Sequence, residues 1–272
     1  MYSALVLTLN EERALPGCLA SLRACDDVVV LDSGSTDRTC ALAEAAGARV
    51  FTHPFEDFAA QRNHAHAIIP FRHPWVFHLD ADERFTPELH AECTAWPEEA
   101  PFEGAFVAPR MLLDGVWVPH CTDFPAYQAR FVRRDGFRWA QVGHGQREAP
   151  GQRMATLRSS YDHEMLIHGE AAWLEKHRRY AREEVAHHRR DAVAFGSSLG
   201  NMFTRDPLRR RRALKQISYH LPARPLLRLL YQYVLRGGFL DGRAGWRMCR
   251  LLSRYERFTV EAGRESPLTR QP

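Results

Sequence analysis

The stretch WVFHLDADER (residues 75–84) joins a mostly apolar run to three acids within four positions. Its first five residues are apolar or β-prone, so they predict a buried strand. Asp80, Asp82 and Glu83 follow at the end of that strand. Carboxylates repel one another and are costly to desolvate unless a counter-charge lies nearby. The stretch therefore predicts a strand of a buried sheet that ends in a charged site.

Strand and helix signals alternate around this stretch throughout the first hundred residues. We predict strands at 2–8, 27–32, 49–52 and 75–79, and helices at 35–47, 58–68 and 86–96. Asn10 is predicted to cap a further helix that contains Pro16. The alternation predicts an α/β fold with a mostly parallel sheet covered by helices on both faces. Ligands bind such sheets beyond the carboxyl ends of strands, where Asn10, Asp32 and Asp80 fall.

The pattern changes after about residue 103. The stretches EGAFVAPRML (103–112), GVWVPH (115–120) and AYQARFVRR (126–134) predict antiparallel strands. A long charged helix is predicted at 168–190 and a basic connector at 205–216. Residues 224–258 mix apolar residues with arginines. This last segment predicts either an amphipathic element on an anionic membrane or a helix packed on the core with its arginines outward.

The charge is divided unevenly between the two halves. Residues 1–150 carry 13 arginines and no lysine against 21 acids, a net charge of −8, whereas residues 151–272 have a net charge of +12. A basic second half favours an anionic partner, either membrane phospholipid or a phosphorylated glycolipid. No nucleic-acid-binding motif accompanies the charge, so we expect no nucleic-acid partner.

Composition and cysteine spacing indicate an ordinary globular chain of 272 residues, 45% of them hydrophobic and 26% charged. We expect no signal peptide and no membrane-spanning helix, because the first residues lack a basic region and no apolar run approaches 18 residues. The six cysteines are scattered without a CxxC pair, which predicts buried or free thiols in a reducing cytosol.

Asp80 and Asp82 are two residues apart on an extended segment, so their side chains share one face. Two carboxylates at a strand end suit Mg²⁺ or Mn²⁺, which complete their coordination with water and substrate phosphates. Such an ion would neutralise a leaving diphosphate. On this interpretation the counter-charge of the acids is a metal with a diphosphate and not a protein residue. The alternative is a solvated acidic turn that opens the next helix.

Two further segments offer polar groups at predicted strand exits or on helices. In VVVLDSGSTDRT (28–39), Asp32 is able to accept a hydrogen bond from a base or a ribose hydroxyl, and Asp37 has the alternative role of helix cap. In FAAQRNHA (58–65), Arg62 would make charge-assisted bonds to a diphosphate. The alternative for Arg62 is an ordinary solvated arginine.

Together and in this order, these segments resemble family 2 glycosyltransferases with the GT-A fold. The matching stretches are TLNEER (8–13), VVVLDSGSTDRT, ARVF (48–51), FAAQRN (58–63) and WVFHLDADER. The resemblance implies a nucleotide-sugar donor, usually UDP-linked, a divalent metal, and inversion at the anomeric carbon. It places around the nucleotide Thr8, Asn10, Glu11, Asp32, Ser33 and Asp37. It also places Arg62 near the diphosphate and Asp80 and Asp82 at the ribose and the metal.

The second half resembles the lipopolysaccharide-core glucosyltransferase-like branch of that family. The counterparts are ARFVRRDG (129–136), GHGQRE (143–148), YDHE (161–164), EKHRRY (175–180) and GGFLDGRAGW (237–246). The branch has a His-Glu pair where this chain has Arg147-Glu148. Inversion needs a general base for the acceptor hydroxyl. Glu148 is the first candidate and His144 the second, each with the alternative of a structural role; His163 is a candidate third metal ligand.

These observations predict a GT-A, Rossmann-like catalytic domain at 1–165, with a nucleotide-binding half at 1–100 and an acceptor half at 101–165. Residues 166–272 are predicted to form a basic, helical C-terminal region. The predicted function is a cytoplasmic inverting glycosyltransferase that uses Mg²⁺ or Mn²⁺ and acts on a lipid-linked or lipopolysaccharide-core acceptor at the inner membrane face. The alternatives are a sugar-nucleotide nucleotidyltransferase, which the acidic segment after the first strand disfavours, and a non-catalytic membrane-associated scaffold.

Overall fold

Thirteen strands lie within residues 1–142, 145–190 and 223–265, the part of the chain that the computed structural model describes. They are β1 (Ser3–Thr8), β2 (Val28–Asp32), β3 (Arg49–Thr52), β4 (Trp75–Asp80), β5 (Glu83–Arg84), β6 (Gly104–Val107), β7 (Pro109–Leu113), β8 (Val116–Trp117), β9 (Gln128–Arg133), β10 (Trp139–Val142), β11 (Gly145–Glu148), β12 (Met154–Thr156) and β13 (Tyr161–Glu164). Seven of them form the central sheet in the order β12-β6-β9-β4-β1-β2-β3.

The central sheet is mostly parallel. The adjacent strands β4, β1, β2 and β3 are parallel to one another. Strand β9 is antiparallel and lies between β4 and β6. Residues of β1 alternate between two buried clusters: Ala4 and Val6 pack on one face of the sheet and Leu5 and Leu7 on the other. Burial on both faces explains why these strands read as continuous apolar runs. The predicted α/β fold class is confirmed.

Four helices accompany this sheet. They are α1 (Leu15–Ser21), α2 (Thr39–Ala45), α3 (Phe58–Ile68) and α4 (Pro87–Thr94). The start of α3 is fixed by Asp57, whose carboxylate accepts a hydrogen bond from the Ala60 amide at 2.7 Å, and the start of α4 by the Thr86 hydroxyl. The predicted helix at 58–68 and the strand at 49–52 are confirmed to the residue.

Two predicted helix starts are wrong. Asn10 does not cap α1, because it adopts a left-handed backbone conformation (φ 57°) and the residue before α1 is Ala14, without a side-chain cap. The helix predicted to begin at Ser35 begins at Thr39. The side chains of Asp32 and Asp37 take up the backbone N–H groups of residues 34, 35 and 39, which holds this segment in a turn.

The remaining strands form smaller assemblies. A four-stranded sheet has the order β5-β13-β7-β8, and β10 pairs with β11 as an antiparallel hairpin. The predicted antiparallel pairing is confirmed for β6 with β9 and for β7 with β8. β6 also pairs in parallel with β12, and β7 with β13; the prediction made no statement about these two partners.

The chain divides into two compact units. The first contains residues 1–119 and 123–168, and the second contains residues 120–122 and 169–272. The second unit contains α5 (Glu170–Arg190), α6 (Arg224–Leu230), a π-helical turn (Tyr231–Leu235), a 3-10 turn (Gly238–Asp241) and α7 (Gly242–Glu265). The basic connector predicted at 205–216 lies outside the described residues. Among the helices described, none is both long and apolar enough to cross a membrane.

Residues 120–122 are held inside the second unit by hydrogen bonds. The Asp241 carboxylate accepts from the amides of His120 at 3.0 Å and Cys121 at 2.9 Å. The Cys121 carbonyl accepts from Gln232 at 2.9 Å, and the Thr122 carbonyl from Arg236 at 2.8 Å. A short piece of the middle of the sequence is therefore built into the C-terminal unit.

Candidate active site

The turn after β2 is organised by Asp32, whose side chain is almost fully buried. One carboxylate oxygen accepts from the hydroxyls of Thr8 at 2.8 Å and Ser35 at 2.5 Å. The other accepts from the backbone N–H groups of Gly34 at 2.9 Å and Ser35 at 2.7 Å. Burial opposes the ionised form, but the hydrogen bonds from Ser35 and Thr8 hold the pKa of Asp32 below its ordinary value.

The loop after β1 is fastened to this turn. The side-chain oxygen of Asn10 accepts from the backbone N–H of Thr36 at 2.8 Å, and the backbone N–H of Asn10 donates to the Ser35 hydroxyl at 2.7 Å. We call these groups the Asp32 turn cluster, and its members are Thr8, Asn10, Glu11, Asp32, Ser33, Ser35, Thr36, Asp37 and Thr39. The cluster gathers all six predicted nucleotide-binding residues at the carboxyl ends of β1 and β2.

A second group of charges lies at the carboxyl end of β4. The two oxygens of Asp80 each meet one arginine at 3.0 Å, Arg62 from α3 and Arg130 from β9. Both arginine side chains are buried, at 0% and 4% exposure. Burial opposes ionisation of Asp80, but Arg130 and then Arg62 hold its pKa well below the ordinary value.

Glu83 shares Arg130 with Asp80. One Glu83 oxygen lies 2.7 Å from the Arg130 guanidinium, and the other accepts from the backbone N–H of Asp80 at 2.8 Å. The Glu83 side chain is 1% exposed, and burial raises its pKa above the ordinary value. Glu83 lies on β5 inside the cluster, so the alternative of a solvated acidic turn that opens the next helix is wrong for this residue. The prediction that no protein residue supplies the counter-charge is likewise wrong for Asp80 and Glu83.

Asp82 and His163, both partly exposed, complete this group. The His163 imidazole Nε2 lies 3.4 Å from a carboxylate oxygen of Asp82, and the two side chains are 27% and 22% exposed. β13 brings His163 there by pairing with β5, where His163 faces Glu83 across the strands. Burial disfavours the charged imidazole, yet the Asp82 carboxylate raises the pKa of His163 to about 9. We call Asp80, Asp82, Glu83, Arg62, Arg130 and His163 the Asp80 charge cluster.

The donor atoms of this cluster agree with the predicted metal only in part. Within the described residues, no group of three or more His, Cys, Asp or Glu side chains is arranged to hold a metal ion. Asp80 already has an arginine on each oxygen. Asp82 with His163 fits Mg²⁺ or Mn²⁺, since such ions are often held by one or two carboxylates together with substrate phosphates and water.

Arg62 is the least satisfied member of the cluster. Its Nε and one Nη nitrogen are buried and have no hydrogen-bond partner in the part of the chain that the structure describes. The guanidinium lies 5.3 Å from the ring centroid of Trp139, and burial lowers its pKa to about 10. The alternative of a solvated arginine is wrong, because the side chain has no exposed area.

Glu148, the predicted base, lies on β11 directly opposite Trp139 of β10. Opposite residues of an antiparallel pair project from the same face, so Glu148 shares a face with the ring that contacts Arg62. The hairpin is fixed to α3 by Asn63, whose side chain exchanges two hydrogen bonds of 2.9 Å with the Trp139 backbone. The second candidate, His144, lies outside the described residues.

The sequence interpretation missed Arg130 and the burial of Glu83. Arg130 lies on β9 between the buried residues Ala129 and Phe131. A charge enclosed in an apolar strand needs a buried partner, and this signal was available in the stretch ARFVRR. The identity of the partner was not available, because Asp80 is 50 residues away along the chain.

Comparison with known proteins gives a partial match. Residues 3–117 match the family model described as Glycosyl transferase family 2. The lipopolysaccharide core biosynthesis glycosyltransferase LpsC of Rhizobium meliloti is 40% identical over 92 residues, 32% of this chain and 33% of LpsC. An uncharacterized glycosyltransferase of Rickettsia bellii is 35% identical over 91 residues, 33% of this chain and 30% of the relative. The matches thus span about a third of these curated relatives.

Among solved structures, the crystal structure of S. aureus TarS 1-349 in complex with UDP-GlcNAc is similar to this chain. It has 16% sequence identity and a TM-score of 0.46, and the alignment covers 99% of this chain and 93% of that one.

Proposed function

We propose that this chain, whose residues 3–117 match the family model described as Glycosyl transferase family 2, is an inverting glycosyltransferase that takes a sugar from a nucleotide donor, a UDP-sugar. The observation that carries the proposal is the meeting of the Asp80 charge cluster with the Asp32 turn cluster on neighbouring strands of one sheet. β1 pairs with both β2 and β4, so the two clusters occupy adjacent carboxyl ends. That edge is where α/β sheets bind their ligands.

We assign the nucleotide to the Asp32 turn cluster. Asn10, Glu11, Ser33 and Asp37 are only partly buried there or exposed, whereas Thr8 and Asp32 are buried and hold the loops in shape. Because the loops are cross-linked before any ligand arrives, little ordering is needed on binding. We assign the diphosphate to the Arg62 side of the Asp80 charge cluster, where two buried guanidinium nitrogens have no hydrogen-bond partner among the described residues. A diphosphate that displaced the groups covering them would receive charge-assisted bonds.

A divalent ion, Mg²⁺ or Mn²⁺, would be held by Asp82 and His163, with Asp80 as the third candidate. When bound, such an ion supplies charge neutralisation for the leaving diphosphate. Arg130 has a separate role in this proposal, because its guanidinium pairs with the carboxylates of both Asp80 and Glu83 and so fixes their positions. The protein thereby keeps several acids close together whether or not a ligand is present.

Glu148 is our candidate for the general base. Its carboxylate would take the proton from the acceptor hydroxyl, whose oxygen then bonds to the anomeric carbon as the bond to the diphosphate oxygen breaks. Attack from the face opposite the diphosphate gives inversion. His144, on the same predicted segment, is the second candidate.

The acceptor is proposed to be a lipid-linked glycan or a lipopolysaccharide core at the inner face of the membrane, in the cytoplasm. The name of the LpsC relative and the basic second unit support this choice. A phosphorylated, membrane-bound acceptor would be attracted to that unit.

The main test measures release of the nucleotide from a series of UDP-sugars with Mn²⁺, with and without acceptor extracts. We expect Asp82→Ala to lower turnover by about a hundredfold or more, because it removes the carboxylate proposed to hold the divalent ion. Glu88→Ala on α4 is the matched control and should keep full turnover. If the unaltered protein neither binds nor turns over any nucleotide sugar, the glycosyltransferase proposal is wrong and a scaffold remains.

The base assignment has its own test. Glu148→Gln should lower turnover by about a hundredfold to ten-thousandfold while donor affinity, measured by calorimetry, stays nearly unchanged. Glu164→Gln, on β13, serves as the control carboxylate. Near-normal turnover of Glu148→Gln would exclude Glu148 and direct attention to His144.

A further inference from the structure

The segment 224–246 of the second unit shows an inverted pattern of burial. It buries the polar residues Arg224 and Gln232, at 7% and 1% exposure. Arg224 lies 2.6 Å from Glu256, and the Gln232 amide donates to the Cys121 carbonyl. Meanwhile nine large apolar residues are 41–77% exposed: Leu226, Leu227, Leu230, Tyr231, Val234, Leu235, Phe239, Leu240 and Trp246. We call these nine residues the apolar face.

Six of the nine members of the apolar face lie on one helical element. They recur at four-residue intervals along α6 and the π-helical turn, which places them along one side of that helix. Two further members contact Tyr233 of the same turn, whose ring lies 6.3 Å from that of Phe239 and 5.0 Å from that of Trp246. An apolar surface of this extent on one short segment marks an interaction site.

The charges of the same segment identify the partner. Residues 223–250 contain six arginines and a single acid, Asp241. The Asp241 carboxylate is 2% exposed and is engaged with His120, so it adds little negative charge to the surface. Arg243 and Arg250 are exposed. A second copy of the chain would bring arginines against arginines, which disfavours self-association through this face.

We propose that the apolar face docks on a bilayer of anionic phospholipids, with the leucines and aromatic rings in the interfacial region and the arginines against the phosphates. Exposed apolar side chains with tyrosine and tryptophan among them, in a segment that also carries the exposed Arg243 and Arg250, match the chemistry of such an interface. This surface is separate from the proposed transfer reaction, and vesicle binding is expected even in a variant with no turnover.

The test is co-sedimentation of the full chain with vesicles of phosphatidylethanolamine and phosphatidylglycerol, compared with phosphatidylcholine alone. The unaltered protein should sediment with the anionic vesicles and much less with the neutral ones. The double variant Leu230→Ser/Leu235→Ser should reduce anionic binding about tenfold or more, because two of the exposed leucines are lost. The control variant Ile68→Ser/Val116→Ser removes two exposed apolar residues from the first unit and should bind vesicles like the unaltered protein.

A charge variant and two further results complete the design. Arg243→Gln/Arg250→Gln should weaken binding to anionic vesicles at low salt and change neutral binding little. Equal sedimentation of the leucine variant and the unaltered protein would assign any binding to other basic segments, such as 205–216, and overturn the proposal. A concentration-dependent dimer that the leucine variant abolishes, seen by analytical ultracentrifugation without vesicles, would also overturn it. Unchanged circular dichroism establishes that each variant is folded.

Discussion

The Asp32 turn cluster and the Asp80 charge cluster lie on adjacent strand ends but satisfy their carboxylates in opposite ways. Asp32 is surrounded by neutral donors, the hydroxyl and amide groups of residues within its own turn and of Thr8. Asp80 and Glu83 are surrounded by two guanidinium groups that come from α3 and β9. One cluster therefore satisfies its carboxylate with neutral hydrogen-bond donors, and the other satisfies its carboxylates with full positive charges.

The difference concerns what each cluster leaves available. The neutral donors of the Asp32 turn cluster are largely used within it, so its main effect is to fix the loop backbone. The Asp80 charge cluster keeps unused capacity, because Arg62 has two buried nitrogens without a partner in the described residues. A buried polar atom without a partner is costly and is often retained where a ligand completes it. The comparison thus indicates that the Asp32 turn cluster fixes the shape of its loops, whereas the Asp80 charge cluster keeps groups that a charged ligand would complete.

The largest expected effect follows from removing the shared cation. Arg130→Met would leave the buried Glu83 beside the partly exposed Asp80 with one counter-charge lost, and should lower the free energy of unfolding by about 3–5 kcal/mol. Urea unfolding measures it. Arg134→Met is the control on the same segment, because among the described residues the Arg134 side chain pairs with the exposed Asp135 and the Phe71 carbonyl, and it should cost about 1 kcal/mol or less. Equal losses of unfolding free energy in the two variants would show that the buried arginine stabilises the fold no more than the surface arginine.

The second effect concerns the neutral network. Asp32→Ala removes the acceptor of four hydrogen bonds and should cost about 2–4 kcal/mol at neutral pH. Since the pKa of Asp32 is lowered by folding, its contribution is present above about pH 4 and is lost as the pH falls through the folded value. The difference in urea stability between the two proteins should therefore shrink at pH 3. A pH-independent difference would show that the charge of Asp32 does not matter.

The smallest effect separates strain from hydrogen bonding at Asn10. Asn10→Ala loses the bond to the Thr36 amide and keeps a Cβ at φ 57°, where alanine is less well tolerated than asparagine, so it should cost about 1–2 kcal/mol. Asn10→Gly loses the same bond without the backbone strain and should cost about 0.5–1 kcal/mol. Thermal unfolding of both variants gives the two contributions. A glycine variant as unstable as the alanine variant would assign the whole effect to the hydrogen bond.

The two clusters also differ in how far they could be predicted from the sequence. The strand at 49–52 and the helix at 58–68 followed from local cues, and the polar residues of 28–39 were correctly gathered at one edge. Arg130 was not predicted, because its role depends on β9 entering the sheet antiparallel beside β4, a pairing that no local pattern specifies. The predicted helix start at Ser35 is wrong, because the sequence does not reveal that the side chains of Asp32 and Asp37 accept hydrogen bonds from backbone N–H groups of this turn. The roles of Glu148, His163 and the other site residues stay predictions.

The placement of residues 120–122 in the second unit restricts where recombination can divide the coding sequence. The polypeptide passes between the units three times, after residues 119, 122 and 168, so no single cut separates them. A chain ended at residue 168 would lose Asp241, Gln232 and Arg236, and residues 120–122 would have no acceptor or donor from that unit. Recombination at that point would damage both pieces. The two units are therefore expected to be inherited together.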